Sequence, residues 1–418
     1  IKALAQIKLS AAKANKELGV LEENITNAII NASKRVIDGE FDDEFVVDIF
    51  QTGSGTSTNM NANEVISNVA IESLNGKIGS RSPIHPNDHV NKGQSSNDVI
   101  PTAIHVAAAV AIKNDLIPSL EKLQNSLKRK SKEFWNVVKT GRTHLQDATP
   151  IRLGQEFLGY EGQINNGIIR ARKALEELSI LALGGTAVGT GIGMHPQFAK
   201  KVISNLKAET NIHFSETENH FQSQSTIDNC VSASGEIKTI AVSLMKIAND
   251  IRWLGSGPRA GIGEISLPEV QPGSSIMPGK VNPVIAESVT MVCAQVIGND
   301  ATISIAGQSG NFELNVMMPV AAHNLLESID LLAKVSENFS VQCIDGLKST
   351  DTGPKMVMNG LAICTALAPI IGYDKAAKIA HEASQTGESI KETSLRLTDL
   401  SESELDDILE PLGMTEPK

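Results

Sequence analysis

Four segments gather the side chains able to do chemistry. Residues 53–61 read G-S-G-T-S-T-N-M-N and residues 85–98 read H-P-N-D-H-V-N-K-G-Q-S-S-N-D. Residues 141–148 read G-R-T-H-L-Q-D-A, and residues 272–283 read P-G-S-S-I-M-P-G-K-V-N-P. They share hydroxyls, amides, glycines that let the backbone come close, and few carboxylates. That mixture suits an anionic ligand, because hydroxyl, amide and backbone N–H groups all donate to it. Each segment taken singly also fits plain helix capping, and Ser95, Ser96 and Asn97 can simply open the next helix. The last segment is the most specific. Gly273, Gly279 and the prolines fix its turns around Ser274, Ser275, Lys280 and Asn282, as stabilising a carboxylate that is gaining charge requires.

Other chemistries fit poorly. The chain has no G-x-x-x-x-G-K-[ST] phosphate loop, no G-x-G-x-x-G fingerprint and no G-x-S-x-G elbow. His85 and His89 are spaced for metal binding only on a helix, and Pro86 and Asn87 between them favour a turn, so no metal site is expected. Cys230, Cys293, Cys343 and Cys364 lie far apart without a C-x-x-C pair, which points to buried thiols in a reducing compartment. The chain opens at Ile1 without a methionine, already in helical pattern, so its start is expected to be truncated.

Long helices must position these segments. Ile227, Val231, Ile237, Ile240, Leu244, Ile247, Ile251 and Leu254 form one apolar stripe, and Leu116, Leu120, Leu123 and Leu127 form another. Ile285, Val289, Val292 and Val296 repeat the pattern. Strand-like alternation is confined to short pieces near Ile78 and Thr186–Val188. The spacing therefore predicts a mainly α protein built on a long-helix bundle. At about 100–200 residues per domain, 418 residues make two to four domains. A helical domain over 1–96, a bundle carrying the catalytic loops over 97–352, and a small helical unit over 353–418 are expected.

Composition narrows the partners. The chain carries 37 Lys+Arg against 48 Asp+Glu, a net charge of −11, with no basic patch, so nucleic acid and anionic membrane are not expected partners. No uninterrupted apolar run reaches the roughly 18–20 residues of a membrane helix, so a soluble protein is expected.

The segment G-S-S-I-M-P-G-K-V-N, residues 273–282, resembles the signature of the fumarase/aspartase superfamily, and the other three segments fall in that family's order. Thr143-His144 is similar to the class II fumarase branch, where aspartases usually have Thr-Gln, and the likeness runs through essentially the whole chain. The resemblance implies three mainly α domains, with a central bundle that assembles into a tetrameric helical core. Its active sites are made from loops of three subunits, and no cofactor is used. It implies a carbon–oxygen lyase of the cytoplasm or mitochondrial matrix that hydrates fumarate to L-malate, a tricarboxylic acid cycle reaction. Ser274 would be the carbon base, His144 the acid/base at the hydroxyl, and Glu287 its orienting partner. Lys280 and Asn282 would hold the dianionic intermediate, and Ser54, Thr56, Ser95, Ser96, Asn97, Thr143 and Ser275 the other carboxylate. His85, Asn87 and Asp88 match a second, non-catalytic dicarboxylate site. An aspartate ammonia-lyase or a related lyase is the alternative, and a scaffold without catalysis the remaining one.

Overall fold

The structure is a computed structural model that describes residues 1–417. Its elements are mainly helical. In chain order the helices are α1 (Lys2–Glu17), α2 (Glu23–Ile37), α3 (Thr56–Ser73), α4 (Ser96–Ala111) and α5 (Ile117–Glu133). A hairpin of β1 (Val138–Thr143) and β2 (Gln146–Arg152) follows. Then come α6 (Leu153–Glu177), α7 (Phe198–Thr210), α8 (His220–Ser225), α9 (Asp228–Leu254), α10 (Val284–Gly307) and α11 (Met318–Gln342). The expectation of a mainly α fold with long helices therefore holds, and the stripes explain it. Leu116, Leu120, Leu123 and Leu127 are fully buried, as are Ile240, Leu244, Ile247 and Ile251 of α9.

The chain divides into two compact units. The first comprises Ile1–Ser119, Gly167–Val242 and Met291–Lys334. Within it Ala5, Ala12, Ile29, Val36, Ile66 and Ile71 form one core under α1, α2 and α3. The second comprises Leu120–Asn166, Ser243–Thr290 and Val335–Lys418. Its C-terminal helices Tyr373–Thr386, Ile390–Leu397 and Glu402–Ile408 enclose a small core of Ile363, Leu367, Ile379, Ile390, Leu405 and Leu409.

Three expectations need correction. The pieces near Ile78 and Thr186–Val188 are turns, not strands; Ile78 is exposed and Thr186 has φ +53°, outside the strand region. The longest strands lie instead at 138–152, where a polar loop was expected, and the remaining strands are two-residue pairs. Two helical stretches, Ser96–Glu133 and Val284–Gly307, are also long and apolar enough to cross a membrane. Polar residues interrupt their apolar runs, His105, Lys113 and Asn114 in the first and Glu287, Gln295 and Asn299 in the second, while the mean hydropathy stays high. Both stretches bury hydrogen-bonded polar groups. In the second, Asn299 Nδ2 donates to Glu327 Oε2 (2.9 Å), and Asp300 accepts from Ser234 Oγ (2.8 Å) and Lys238 Nζ (2.6 Å).

The hairpin is held by charge. Glu264, 2% exposed, accepts both arms of the Arg142 guanidinium, at 2.8 and 3.1 Å. Lys139, also buried, lies 3.1 Å from Glu264 and 2.8 Å from Glu156. Burial pushes the Glu156 carboxyl up, and Lys139 opposes that shift. The Glu264 backbone carbonyl accepts from Thr350 N (3.0 Å), so one residue ties the hairpin, the 255–283 loop and the segment before Thr352. Breaking a buried pair from one side strands the remaining charges and costs about 3–5 kcal/mol. Glu264→Gln should therefore lose stability of that order in urea unfolding. A loss below about 1 kcal/mol would show that the cluster does not hold the hairpin.

Candidate functional site

The 53–61 segment is a turn into α3. Met318 N donates to Gly53 O at 3.0 Å, and a Cβ on Gly53 would lie 1.6 Å from Val316 O, so only glycine fits. Gly55 caps the helix with φ +70°. Ser54 is buried, and its Oγ lies 2.7 Å from Thr56 Oγ1. Two hydroxyls that share one hydrogen bond keep one hydrogen over for a ligand.

The 85–98 segment is a π-helical turn, Pro86–Val90, followed by the start of α4. His85 caps the turn: its Nδ1 accepts from Asn87 N and Asp88 N at 3.2 Å each, and lies 3.3 Å from Asp88 Oδ2. The structure thus brings His85, Asn87 and Asp88 together. Ser95 caps α4 with Asp98 as its reciprocal partner, so the capping role of this segment is real. Ser95 Oγ accepts from Asn97 N at 3.3 Å, which leaves its own hydrogen uncommitted, and Asn97 Nδ2 donates to Ala187 O at 2.8 Å.

Asp98 does more than cap. Fully buried, it accepts from Ser95 N, Gly184 N and Thr186 N, each at 3.0 Å, and so fixes the serine turn to the glycine-rich segment after Ala182. Burial pushes its carboxyl up, opposed by those three N–H groups and by the Lys8 charge. Lys8 is fully buried too. Its Nζ donates to Asn91 Oδ1 (2.8 Å) and Gln94 Oε1 (3.0 Å), and burial pushes it down to about 7, with Asp98 opposing.

Neither Asp98 nor Lys8 emerged from the sequence as a site residue. A signal existed for each. Asp98 stands three residues after Ser95, the spacing of a capping box. Lys8 stands four residues after Leu4 and before Ala12, on the apolar face of α1.

In the second unit, Thr143-His144-Leu145-Gln146 is the hairpin tip. Thr143 pairs with Gln146, and His144 and Leu145 have φ +57° and +60°, the type I′ geometry. Glycine and asparagine are usual there, so a histidine and a leucine carry strain of order 1–3 kcal/mol each, a feature that gathers at functional sites. The tip is exposed. Thr143 and Arg142 border a cavity of about 660 Å³ with Glu156, Tyr160 and Asp250.

The 272–283 loop is also exposed. A Cβ on Gly273 would lie 2.1 Å from Lys280 O, so glycine closes this loop on itself. Ser274 Oγ accepts from Ile276 N at 3.4 Å, and Ser275 lies beside it at the surface. Lys280 Nζ donates to Asn282 Oδ1 at 2.7 Å, which leaves the Asn282 NH₂ hydrogens uncommitted. Lys280 and Asn282 border a second cavity, of about 540 Å³, with Asn249, Arg252 and Trp253. Glu287 lies in the first turn of α10, half-buried. Among the described residues no hydrogen bond or ion pair joins His144, Ser274 and Glu287 within the chain. No cluster of three or more metal-ligating side chains is present among them.

Comparison with known proteins gives the family. Residues 1–298 match the family described as Lyase, and residues 363–416 match Fumarase C C-terminus. Fumarate hydratase class II 2 of Bradyrhizobium diazoefficiens is 50% identical over 418 residues, covering 100% of this chain and 88% of that protein. The mitochondrial fumarate hydratase of Saccharomyces cerevisiae is 51% identical, covering 100% of this chain and 86% of its own. Among solved structures, a class II fumarase from Schistosoma mansoni superposes with a TM-score of 0.96 at 40% identity, covering 99% of this chain and 90% of that one. Full-length identity of this order, with both family segments in place, means that the chain belongs to the class II fumarases of the fumarase/aspartase lyase family.

Proposed function

We propose that this chain is a fumarate hydratase, which adds water reversibly and trans across the double bond of fumarate to give L-malate. The observation that carries the reading is Thr143-His144, present at a strained hairpin tip in a chain about half identical along its length to fumarate hydratases. In the malate direction the barrier is removal of a weakly acidic C–H beside a carboxylate. Ser274, as its alkoxide, takes that proton, and the electron pair moves into the neighbouring carboxylate. Lys280, the Asn282 NH₂ group and loop N–H groups hold the resulting dianion. His144 gives its proton, through water, to the departing hydroxyl, which leaves as water as the double bond closes.

The second carboxylate is held by hydroxyl and amide donors: Ser54, Thr56, Ser95, Ser96, Asn97, Thr143 and Ser275. The hydrogens left over on the Ser54–Thr56 pair and on Ser95 support this. His85, Asn87 and Asp88 form the second dicarboxylate site, away from the chemistry. The enzyme acts as a homotetramer with sites built from several subunits. Exposed apolar side chains along the long helices support that assembly: Val242, Met291, Ile305 and Val341 are 52%, 67%, 61% and 44% exposed in the single chain. Glu287 then orients a histidine of another subunit. Buried thiols, with Cys230 and Cys343 each pushed up to about 12 by burial, suit a reducing compartment such as cytoplasm or mitochondrial matrix.

The test follows fumarate absorbance with purified protein, with and without ammonia. Loss of fumarate and appearance of malate in plain buffer is expected; loss only with ammonia would make the chain an aspartate ammonia-lyase. His144→Asn should lower kcat by about 10²–10⁴-fold, and a loss below tenfold removes it as acid/base. Ser274→Ala should abolish turnover while thermal unfolding stays unchanged, and a near-normal rate would exclude Ser274 as the base.

A further inference from the structure

Beneath the serine turn runs a part-buried chain of side-chain hydrogen bonds with only one workable direction. It starts at Lys8 Nζ, which meets two carbonyl oxygens, Asn91 Oδ1 at 2.8 Å and Gln94 Oε1 at 3.0 Å. As ammonium or as amine, this nitrogen has a hydrogen for each. Gln94 O can only accept and takes a hydrogen from Asn91 Nδ2 at 3.2 Å, so Asn91 is held with its oxygen toward Lys8. The same Asn91 oxygen faces Asn59, 2% exposed, so Asn59 must present its NH₂ group, at 3.3 Å. That NH₂ group also reaches Ser96 Oγ at 3.3 Å, and Ser96 can only accept from it. A hydroxyl has a single hydrogen. Once Ser96 Oγ accepts from inside the protein, that hydrogen is released for a partner outside.

We propose that Asn59 is a positioning residue for the dicarboxylate: it fixes the Ser96 hydroxyl as a donor, and the Gln94 carbonyl, through Asn91, fixes the direction of Asn59. This deepens the hydratase reading and rests on its assignment of Ser96 to the substrate carboxylate. The device matters because the loops bind mainly through neutral groups. A serine that turned its hydrogen inward would present only lone pairs to a carboxylate and would repel it.

The experiment is a double-mutant cycle read by KM and kcat for L-malate, with thermal unfolding as a check on folding. Asn59→Asp keeps the shape but replaces the donor with an acceptor, so Ser96 must donate inward. It should raise KM by about 10–30-fold, the range expected for a hydrogen bond to a charged group, with kcat changed by less than about threefold. Asn59→Ala, which only releases Ser96, should have the smaller effect; a purely structural role predicts the reverse order, since alanine leaves the cavity. In a Ser96→Ala background, Asn59→Asp should add less than about twofold to KM. An equal rise in both backgrounds would assign the effect to the added charge and overturn the proposal. If Ser96→Ala alone leaves KM unchanged, the carboxylate-holding role of Ser96 fails, and the proposal fails with it while hydratase activity stands. If Asn59→Asp does not fold, Asn59→Ala completes the cycle, and additivity there overturns the proposal in the same way.

Discussion

A carboxylate shut away from water must find donors, and much of this molecule is arranged around two that do. Glu264 is met by Arg142 through both arms and by Lys139, and its own backbone holds Thr350. Asp98 is met by three backbone N–H groups from two separate segments. Loops as rich in glycine and serine as these have little apolar surface to bury. Their shape cannot come from hydrophobic packing alone. Multiply bonded buried anions supply what packing does not, because the stranded charge makes any partial opening costly.

A second constraint is the direction of each hydrogen bond. The polar loops contain hydroxyls and amides that can face either way, and only one way presents hydrogens to an anion. Donor-only and acceptor-only groups remove the ambiguity: the Gln94 carbonyl sets Asn91, and Lys280 sets Asn282 by occupying its oxygen. Backbone N–H groups do the same at Ser95. The interior thus settles which atoms the surface offers before any ligand arrives, which is preorganisation in the sense that lowers the cost of binding and of reaching a transition state.

The long helices were legible because a stripe at three- and four-residue spacing reports burial directly, and Leu120, Leu123 and Leu127 are indeed fully buried. The four polar segments were legible by composition. The hairpin was not. Its turn lacks the Asn-Gly or Asp-Gly that marks a two-residue connection, and His144-Leu145 reads as loop. The clue to it is remote in sequence: Glu264, more than a hundred residues away, holds the strand through Arg142. Lys8 was missed for a related reason. A lysine on a helix reads as solvated, and only the distant Asn91 and Gln94 make its burial tolerable. Local periodicity reveals what packs; it carries no trace of a polar partner far along the chain.

The charge distribution fits the proposed substrate better than the net charge does. A chain of −11 should repel a dianion, but that field is screened beyond about 8 Å at physiological ionic strength, so the loops decide. Residues 53–61 carry no charge at all, and residues 272–283 carry Lys280 alone. A cluster of cations would hold the ground-state dicarboxylate as firmly as the transition state, and uniform tightening of that kind does not speed the chemical step. In the proposed binding mode, neutral donors around one carboxylate and a single lysine beside the other would instead reserve the strongest attraction for the group whose charge grows when the proton leaves.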